Sequence, residues 1–230
     1  MNALVINAAG IGSRCNSNIP KQFTEISYRS IYRGNTILDY TLDTFLFTKL
    51  FSVIVVVTLP EYINRLRELY DSNVIVVEGS TTCLRSRIAG LSAIKHINQI
   101  DKVMFHDSVR PFVSETLITK CISTCKSYTP CVVPFIETVS ALKYSKNIHA
   151  PKLIQDRISI LQTPETFMFS DICRAVESID NIDDCQTLPH LFELSGNIVT
   201  YIKGDLQNFK ITMSDDLDLA MSIINGKFRN

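Results

Sequence analysis

The stretch Ala3-Leu4-Val5-Ile6-Asn7-Ala8-Ala9-Gly10-Ile11-Gly12-Ser13-Arg14, followed after a polar run by Pro20-Lys21-Gln22-Phe23, decides how the rest of the chain is read. Ala3 to Ile6 are apolar without alternation, the pattern of a strand buried on both faces. Small residues follow where that strand should end. Gly10 and Gly12 let the backbone turn sharply and approach a ligand that a Cβ would obstruct. Arg14 and Lys21 add cations to a loop that otherwise offers backbone N–H groups. A strand, a glycine turn and nearby cations are the parts of a polyphosphate cradle. No Gly-Lys-Ser/Thr follows, and the third glycine of the dinucleotide fingerprint is missing. An ordinary strand-to-helix turn with two surface cations has the same local pattern, so the remainder of the chain must arbitrate.

Outward from this loop, strand patterns recur at Val53–Thr58, Val74–Val77, Val103–His106, Cys131–Ile136 and Ile198–Ile202. Helical patterns lie between several of them, at Thr36–Phe47, Leu84–His96, Thr116–Cys125 and Asp171–Ile179, with a last one at Ser214–Ile224. This alternation predicts an α/β fold: a mostly parallel sheet with helices on both faces. Ligands of such sheets bind at the carboxyl ends of the strands. Residues 138–157 break the rhythm and read as an insertion, either a surface excursion or an arm that packs on another subunit. Asp215 and Asp216 open the last helical pattern and are assigned to helix stability.

Composition narrows the function classes. The 230 residues fit a single domain, 1–230, and 46% apolar residues are ample for a core. Lys+Arg and Asp+Glu both total 23, so no global field attracts nucleic acid and no polybasic segment anchors a membrane. No run reaches the roughly 18 apolar residues of a membrane span. The first residues have neither the charged nor the apolar region of a signal peptide. Seven cysteines without a Cys-x-x-Cys pair read as reduced, mostly buried thiols, which suggests the cytoplasm. Cys121 and Cys125 share a helix face and are read as core.

The strand exits carry the polar residues. After Val77 come Glu78-Gly79-Ser80-Thr81-Thr82 and a helix with Arg85 and Ser86, whose hydroxyls either meet a ligand or cap the helix. After Phe105 comes His106-Asp107-Ser108-Val109-Arg110-Pro111-Phe112. Asp107 has the oxygens to hold Mg²⁺, and Arg110 can clamp a phosphate or pair with Asp107. His106 reads as orienting this turn. Asn208-Phe209-Lys210-Ile211-Thr212 is expected to end a short strand, with Lys210 either on the surface or aimed into a site.

The ordered series Ala-Ala-Gly-x-Gly-x-Arg…Pro-Lys-Gln-Phe, His-Asp-Ser-Val-Arg-Pro-Phe, Gln162-Thr163-Pro164 and Asn-Phe-Lys-Ile-Thr resembles the sugar-alcohol-phosphate cytidylyltransferases, the family of the 2-C-methyl-D-erythritol 4-phosphate and ribitol-5-phosphate enzymes. The resemblance covers residues 3 to about 225. It implies a Rossmann-like nucleotidyltransferase fold, a homodimer with a protruding exchanged arm, and CTP with Mg²⁺. By position, Ala8, Ala9, Gly10, Ile11 and Gly12 would wrap the CTP triphosphate. Arg14, Lys21 and Lys210 would bind the reacting phosphates. Ser80, Thr81 and Ser86 would face cytosine, and Asp107, Ser108 and Arg110 would hold ribose, metal and the base-side loop. Thr138, with Gln155 or Arg157 on the arm, would contact the second substrate. The implied reaction is attack by an alditol phosphate on the CTP α-phosphorus with release of pyrophosphate. A phosphate monoester is largely dianionic at pH 7 and needs no general base; the chain offers no Ser-His-Asp or Cys-His set.

The chain departs from the family's pattern in places. Cys83 stands where an arginine is usual, with Arg85 two positions on. Gln155 stands at the arm arginine, with Arg157 nearby. Gln186-Thr187-Leu188-Pro189-His190 replaces an acidic segment, with Asp183-Asp184 upstream. Ser108-Val109 resembles the ribitol enzymes, and Ser140-Ala141 stands where the methylerythritol enzymes tend to carry a basic pair, so D-ribitol 5-phosphate is the expected acceptor and methylerythritol phosphate the alternative. A hexose-1-phosphate nucleotidyltransferase and a non-catalytic nucleotide binder are the readings from other classes.

Overall fold

The computed structural model describes residues 1–11, 19–28, 30–32, 34–70, 74–138, 142–144, 152–154 and 158–227, with backbone alone for 142–144, 152–154 and Lys227. The strands are β1 (Asn2–Ala8), β2 (Val53–Thr58), β3 (Val74–Glu78), β4 (Lys102–Asp107), β5 (Cys131–Glu137), β6 (Leu142–Tyr144), β7 (Lys152–Ile154), β8 (Ser159–Leu161), β9 (Glu165–Met168) and β10 (Val199–Lys203). The helices are α1 (Ile37–Leu46), α2 (Ile63–Leu69), α3 (Cys83–Ser92), α4 (Glu115–Thr124), α5 (Phe169–Ser178), α6 (Leu188–Leu194) and α7 (Ser214–Lys227).

The main sheet has the order β10-β5-β9-β4-β1-β2-β3. β1 pairs in parallel with both β2 and β4, so the chain winds first to one side of β1 and then to the other. That reversal opens a crevice at the carboxyl ends of β1 and β4, the place where doubly wound sheets bind ligands. The mostly parallel expectation holds, with two exceptions. β9 lies antiparallel between β4 and β5, and β8 adds antiparallel to the end of β5.

The unbroken apolar run of β1 serves two cores. Ala3 and Val5 face one core, with Leu91 of α3, Ile172 of α5 and Leu191 of α6. Leu4 and Ile6 face the other, with Leu42 of α1, Leu66 of α2 and Ile118 of α4. Successive strand residues point to opposite faces, so a strand covered by helices on both sides must be apolar throughout. α3 lies so close to the sheet that a Cβ at Gly90 would come within 2.5 Å of Val5 and 2.8 Å of Val57. A third core, around Ile37, Phe112, Ile211 and Ile224, fixes α7 and the segment before it.

Six elements were not expected: α2, α6, β6, β7, β8 and β9. Conversely, Asn208–Thr212 ends no strand, because β10 stops at Lys203 and the following residues are irregular up to α7. In the expected arm, β6 and β7 form a two-stranded antiparallel ladder of their own. Among the described residues no helix is long and apolar enough to cross a membrane.

Candidate active site

The carboxyl end of β1 is laced to its neighbours before any ligand is considered. The buried Gln22 side chain donates from Nε2 to the carbonyls of Ala8 and Gly10, 2.7 Å each, which cinches the entry of the glycine loop. Asn7 accepts from the Ala9 N–H and donates to the Cys83 thiol at 3.2 Å. Gly79 allows the turn after β3 to pack directly on Ala9, whose Cβ would lie 2.3 Å from any Cβ added there. Ser86 staples that turn: its Oγ accepts from the Ser80 N–H at 2.9 Å. Thr82 caps α3 by accepting from the Arg85 N–H.

These elements enclose a cavity of about 410 Å³, lined on its loop side by Asn7, Ala9, Gly10, Ile11 and Lys21, on the α3 side by Ser80 to Cys83 and Ser86, and on the β4 side by Asp107, Ser108, Val109 and Lys210. A second cavity of about 200 Å³ adjoins it and shares Cys83, Asp107 and Lys210. The second is lined by Arg87, Arg110, Gln162, Thr163, Glu165 and Thr187.

Asp107 is the centre of the polar network. Its Oδ1 accepts from Arg87 at 2.8 Å, and its Oδ2 meets Lys210 at 3.0 Å and Arg110 at 3.3 Å. Burial alone would raise this carboxyl. The charges of Lys210, Arg87 and Arg110 outweigh burial and hold it well below the usual carboxylate range. Glu165, also on Arg87 at 2.7 Å, is pushed up by burial, with Arg87 opposing.

His106 is fully buried and neutral, its pKa lowered by burial to about 3. Its hydrogen bonds follow from that neutrality. Nε2–H donates to the Arg110 carbonyl at 3.0 Å, leaving Nδ1 to accept from Thr163 Oγ1 at 3.0 Å. Thr163 Oγ1 in turn accepts from the Asp107 N–H. With both ring nitrogens committed, His106 orients the Asp107–Arg110 turn and has no free base to offer.

Lys210 owes its place to neighbours rather than to secondary structure. The Ile211 N–H donates to Val109, and Asn208 Nδ2 donates to Thr163. Asp216, assigned above to helix stability, accepts from the N–H groups of Thr212 and Met213 and so fastens the segment that carries Lys210. The Thr212 carbonyl accepts from the Lys21 ammonium at 2.7 Å. Lys21 and Lys210 are thereby brought to the same cavity.

Ala9, Gly10, Ile11, Lys21, Ser80, Thr81, Ser86, Asp107, Ser108 and Lys210 line the first cavity. Ala8 is buried behind it with its carbonyl on Gln22. Arg110, expected at CTP, is instead buried in the second cavity's wall, on Asp107 and the Asn208 carbonyl. Arg85 lines neither cavity: it forks onto Asp183 at 2.8 Å on the surface and does not stand in for an arginine at position 83. Thr138 bonds through its N–H to Ile158 at 3.1 Å, beside the end of β5. Arg14, Gly12, Gln155 and Arg157 lie outside the described residues. Gln22, Asn7, Arg87 and Glu165 were missed. Of these, Gln22 had a signal, in the quoted Pro-Lys-Gln-Phe motif.

Both oxygens of Asp107, the expected magnesium ligand, are engaged by cations: Oδ1 by Arg87 and Oδ2 by Lys210 and Arg110. Among the described residues no group of three or more His, Cys, Asp or Glu is placed to hold a metal ion. Magnesium ordinarily keeps several waters and takes its oxygens from substrate phosphates.

A family model described as IspD, 2-C-methyl-D-erythritol 4-phosphate cytidylyltransferase, matches residues 2–226. A protein of that description from Clostridium acetobutylicum is 32% identical, over 97% of this chain and 97% of that protein. A bifunctional enzyme IspD/IspF from Wolbachia pipientis wMel is 31% identical over 99% of this chain. The chain spans just over half the length of such bifunctional relatives, 55% and 57% in two cases. Among solved structures, the Francisella tularensis 2-C-methyl-D-erythritol 4-phosphate cytidylyltransferase superposes with a TM-score of 0.78 at 28% identity, covering 95% of this chain and 97% of that one. These descriptions support the methylerythritol alternative and give no support to ribitol 5-phosphate as acceptor. The ribitol expectation rests on two short stretches of sequence, Ser108-Val109 and Ser140-Ala141, which weigh little against a match along the whole chain.

Proposed function

We propose, since the chain belongs to the 2-C-methyl-D-erythritol 4-phosphate cytidylyltransferase family, that it transfers the cytidylyl group of CTP to 2-C-methyl-D-erythritol 4-phosphate and releases pyrophosphate. The observation that carries this reading is the pair of adjoining cavities with Asp107 and Lys210 in their common wall. The larger, under the glycine loop, suits the nucleotide; the smaller, walled by Arg87, Arg110 and Thr163, suits a phosphorylated polyol. The α-phosphorus then lies at the seam.

In this arrangement the chain contributes position and charge. The loop after β1, tied at its entry by Gln22, receives the triphosphate. Lys21 and Lys210 face the oxygens on which negative charge grows as the acceptor phosphate attacks. Preorganised cations stabilise that charge more in the transition state than in the ground state. The attacking phosphate is largely dianionic and needs no base, in keeping with a His106 that is buried and neutral. Magnesium, where it takes part, is proposed to arrive on the nucleotide's phosphates.

Homodimer formation belongs to the same proposal. A three-residue ladder such as β6–β7 is marginal alone in water, and a second copy of the chain would cover it. The reduced cysteines support a cytoplasmic location.

The test is pyrophosphate release from CTP with 2-C-methyl-D-erythritol 4-phosphate and with D-ribitol 5-phosphate in parallel. Turnover with the methylerythritol substrate is expected. Turnover with ribitol alone would overturn the acceptor, and none with either would overturn the activity.

A further inference from the structure

Arg87 borders the second cavity but carries no step of the proposed transfer, and its geometry is unusual. It projects from α3 with its guanidinium buried between two carboxylates, donating from Nη1 to Glu165 at 2.7 Å and from Nη2 to Asp107 at 2.8 Å. Its Nε–H has no hydrogen-bond partner among the described residues. Burial alone would lower its pKa, but the two carboxylates raise it, so it is permanently charged.

A buried ion pair of this kind is a poor device for stability. Apolar side chains of the same volume usually do as well or better, and an unpaired buried N–H adds a further cost. What the group does achieve is geometric. Asp107 Oδ1 is bound by Arg87, while Oδ2 is left to Arg110 and Lys210. With one oxygen pinned, the carboxylate plane is fixed, and with it the direction from which Lys210 approaches. Glu165, on the inserted strand β9, holds the other end of the guanidinium. The cluster contains two carboxylates and three cations, so one positive charge remains in excess at the wall of the second cavity.

We propose that Arg87, anchored by Glu165, is a positioning residue that fixes Asp107 and thereby aims Lys210 and Arg110 at an anionic acceptor in the second cavity. Arg87 and Arg110 line that cavity and not the larger one, so the influence falls first on the acceptor and reaches the nucleotide only through Asp107 and Lys210. The kinetic part of this proposal rests on the cytidylyltransferase reading; the geometric part does not.

The decisive variant is the double substitution Arg87→Met with Glu165→Gln. It removes both charges of the anchoring pair, so no lone buried charge is left to unfold the protein. If the pair is merely structural, this variant behaves as wild type. If Arg87 positions Asp107, kcat/KM for 2-C-methyl-D-erythritol 4-phosphate falls by about tenfold or more, as expected for a misplaced reacting group, while KM for CTP stays within about twofold. Arg87→Lys, which keeps the charge with a shorter reach, should recover part of the loss. Acceptor kinetics of the double variant within twofold of wild type would overturn the proposal. A crystal structure of the same variant gives a second reading that needs no turnover. Displacement of the Asp107 carboxylate or of Lys210 is expected; both residues in their wild-type places would overturn the proposal. Absence of turnover in the wild-type enzyme would count against the function reading alone, and the structural comparison would still decide the role of Arg87.

Discussion

Lys210 Nζ sits 3.0 Å from Asp107 Oδ2, and the two residues form part of the wall common to both cavities. A lysine from the irregular segment before the last helix thus meets a carboxylate at the end of a central strand. Its ammonium borders both cavities at once, which is what transfer between substrates bound in them would require.

Replacing either lysine of the site should therefore impair chemistry rather than folding. Lys210→Met and Lys21→Ala are each expected to lower kcat by about 10²-fold, as for loss of one preorganised donor. Arg85→Ala, on the surface and in neither cavity, should leave kcat within about twofold. Steady-state kinetics on folded variants checks all three; near-wild-type kcat for Lys21→Ala would remove that residue from the proposed role.

Gln22 should act on the nucleotide alone. Gln22→Leu leaves the Ala8 and Gly10 carbonyls without their amide partner, a loss of about 1–3 kcal/mol at the buried Ala8 carbonyl. KM for CTP should rise more than KM for the acceptor, since Gln22 lines only the larger cavity. Denaturant melts and two-substrate kinetics read the two effects separately. Equal shifts in both KM values would contradict the assignment.

The buried neutral His106 makes stability depend on pH. Its pKa is about 3 folded and about 6.5 unfolded, so between these values the unfolded chain binds the additional proton. Its contribution is fully present above about pH 6.5 and is lost as pH falls toward 3. Asp107, held well below the carboxylate range, stays ionised over most of that window. Urea unfolding at pH 7 and pH 5 should show a smaller drop for His106→Gln than for wild type. Identical drops would mean that His106 is not held neutral.

Cys83 reports occupancy of the site. It is exposed and lines both cavities. A maleimide should modify it in the free protein, and saturating CTP should slow that reaction. Peptide mass spectrometry locates the label; unchanged labelling of Cys83 in the presence of CTP would place the nucleotide elsewhere.

Much of the fold was legible because its signals are local. The apolar run Ala3–Ile6 and the glycine turn after it, the strand of β-branched residues at Val53–Thr58, and the capping Thr36 ahead of α1 each announce an element from adjacent residues. β9 made no such announcement. Glu165–Met168 is four residues long, and pairing on both sides with β4 and β5, far away in sequence, makes it a strand.

The same division holds at the site. The residue types along the chain already carry the chemistry available: glycines at a strand exit, Lys21, Asp107 and Lys210, and no base-activated nucleophile. How those groups are used emerges from the folded chain. It turned Arg110 inward to Asp107, sent Arg85 out to Asp183, and drew Arg87 and Glu165 into the wall of the second cavity. The physical reason is that a residue's type and its neighbours along the chain set its charge and local conformation. The partner that a long charged side chain finds depends on which strand ends the sheet brings together, and no local pattern encodes that.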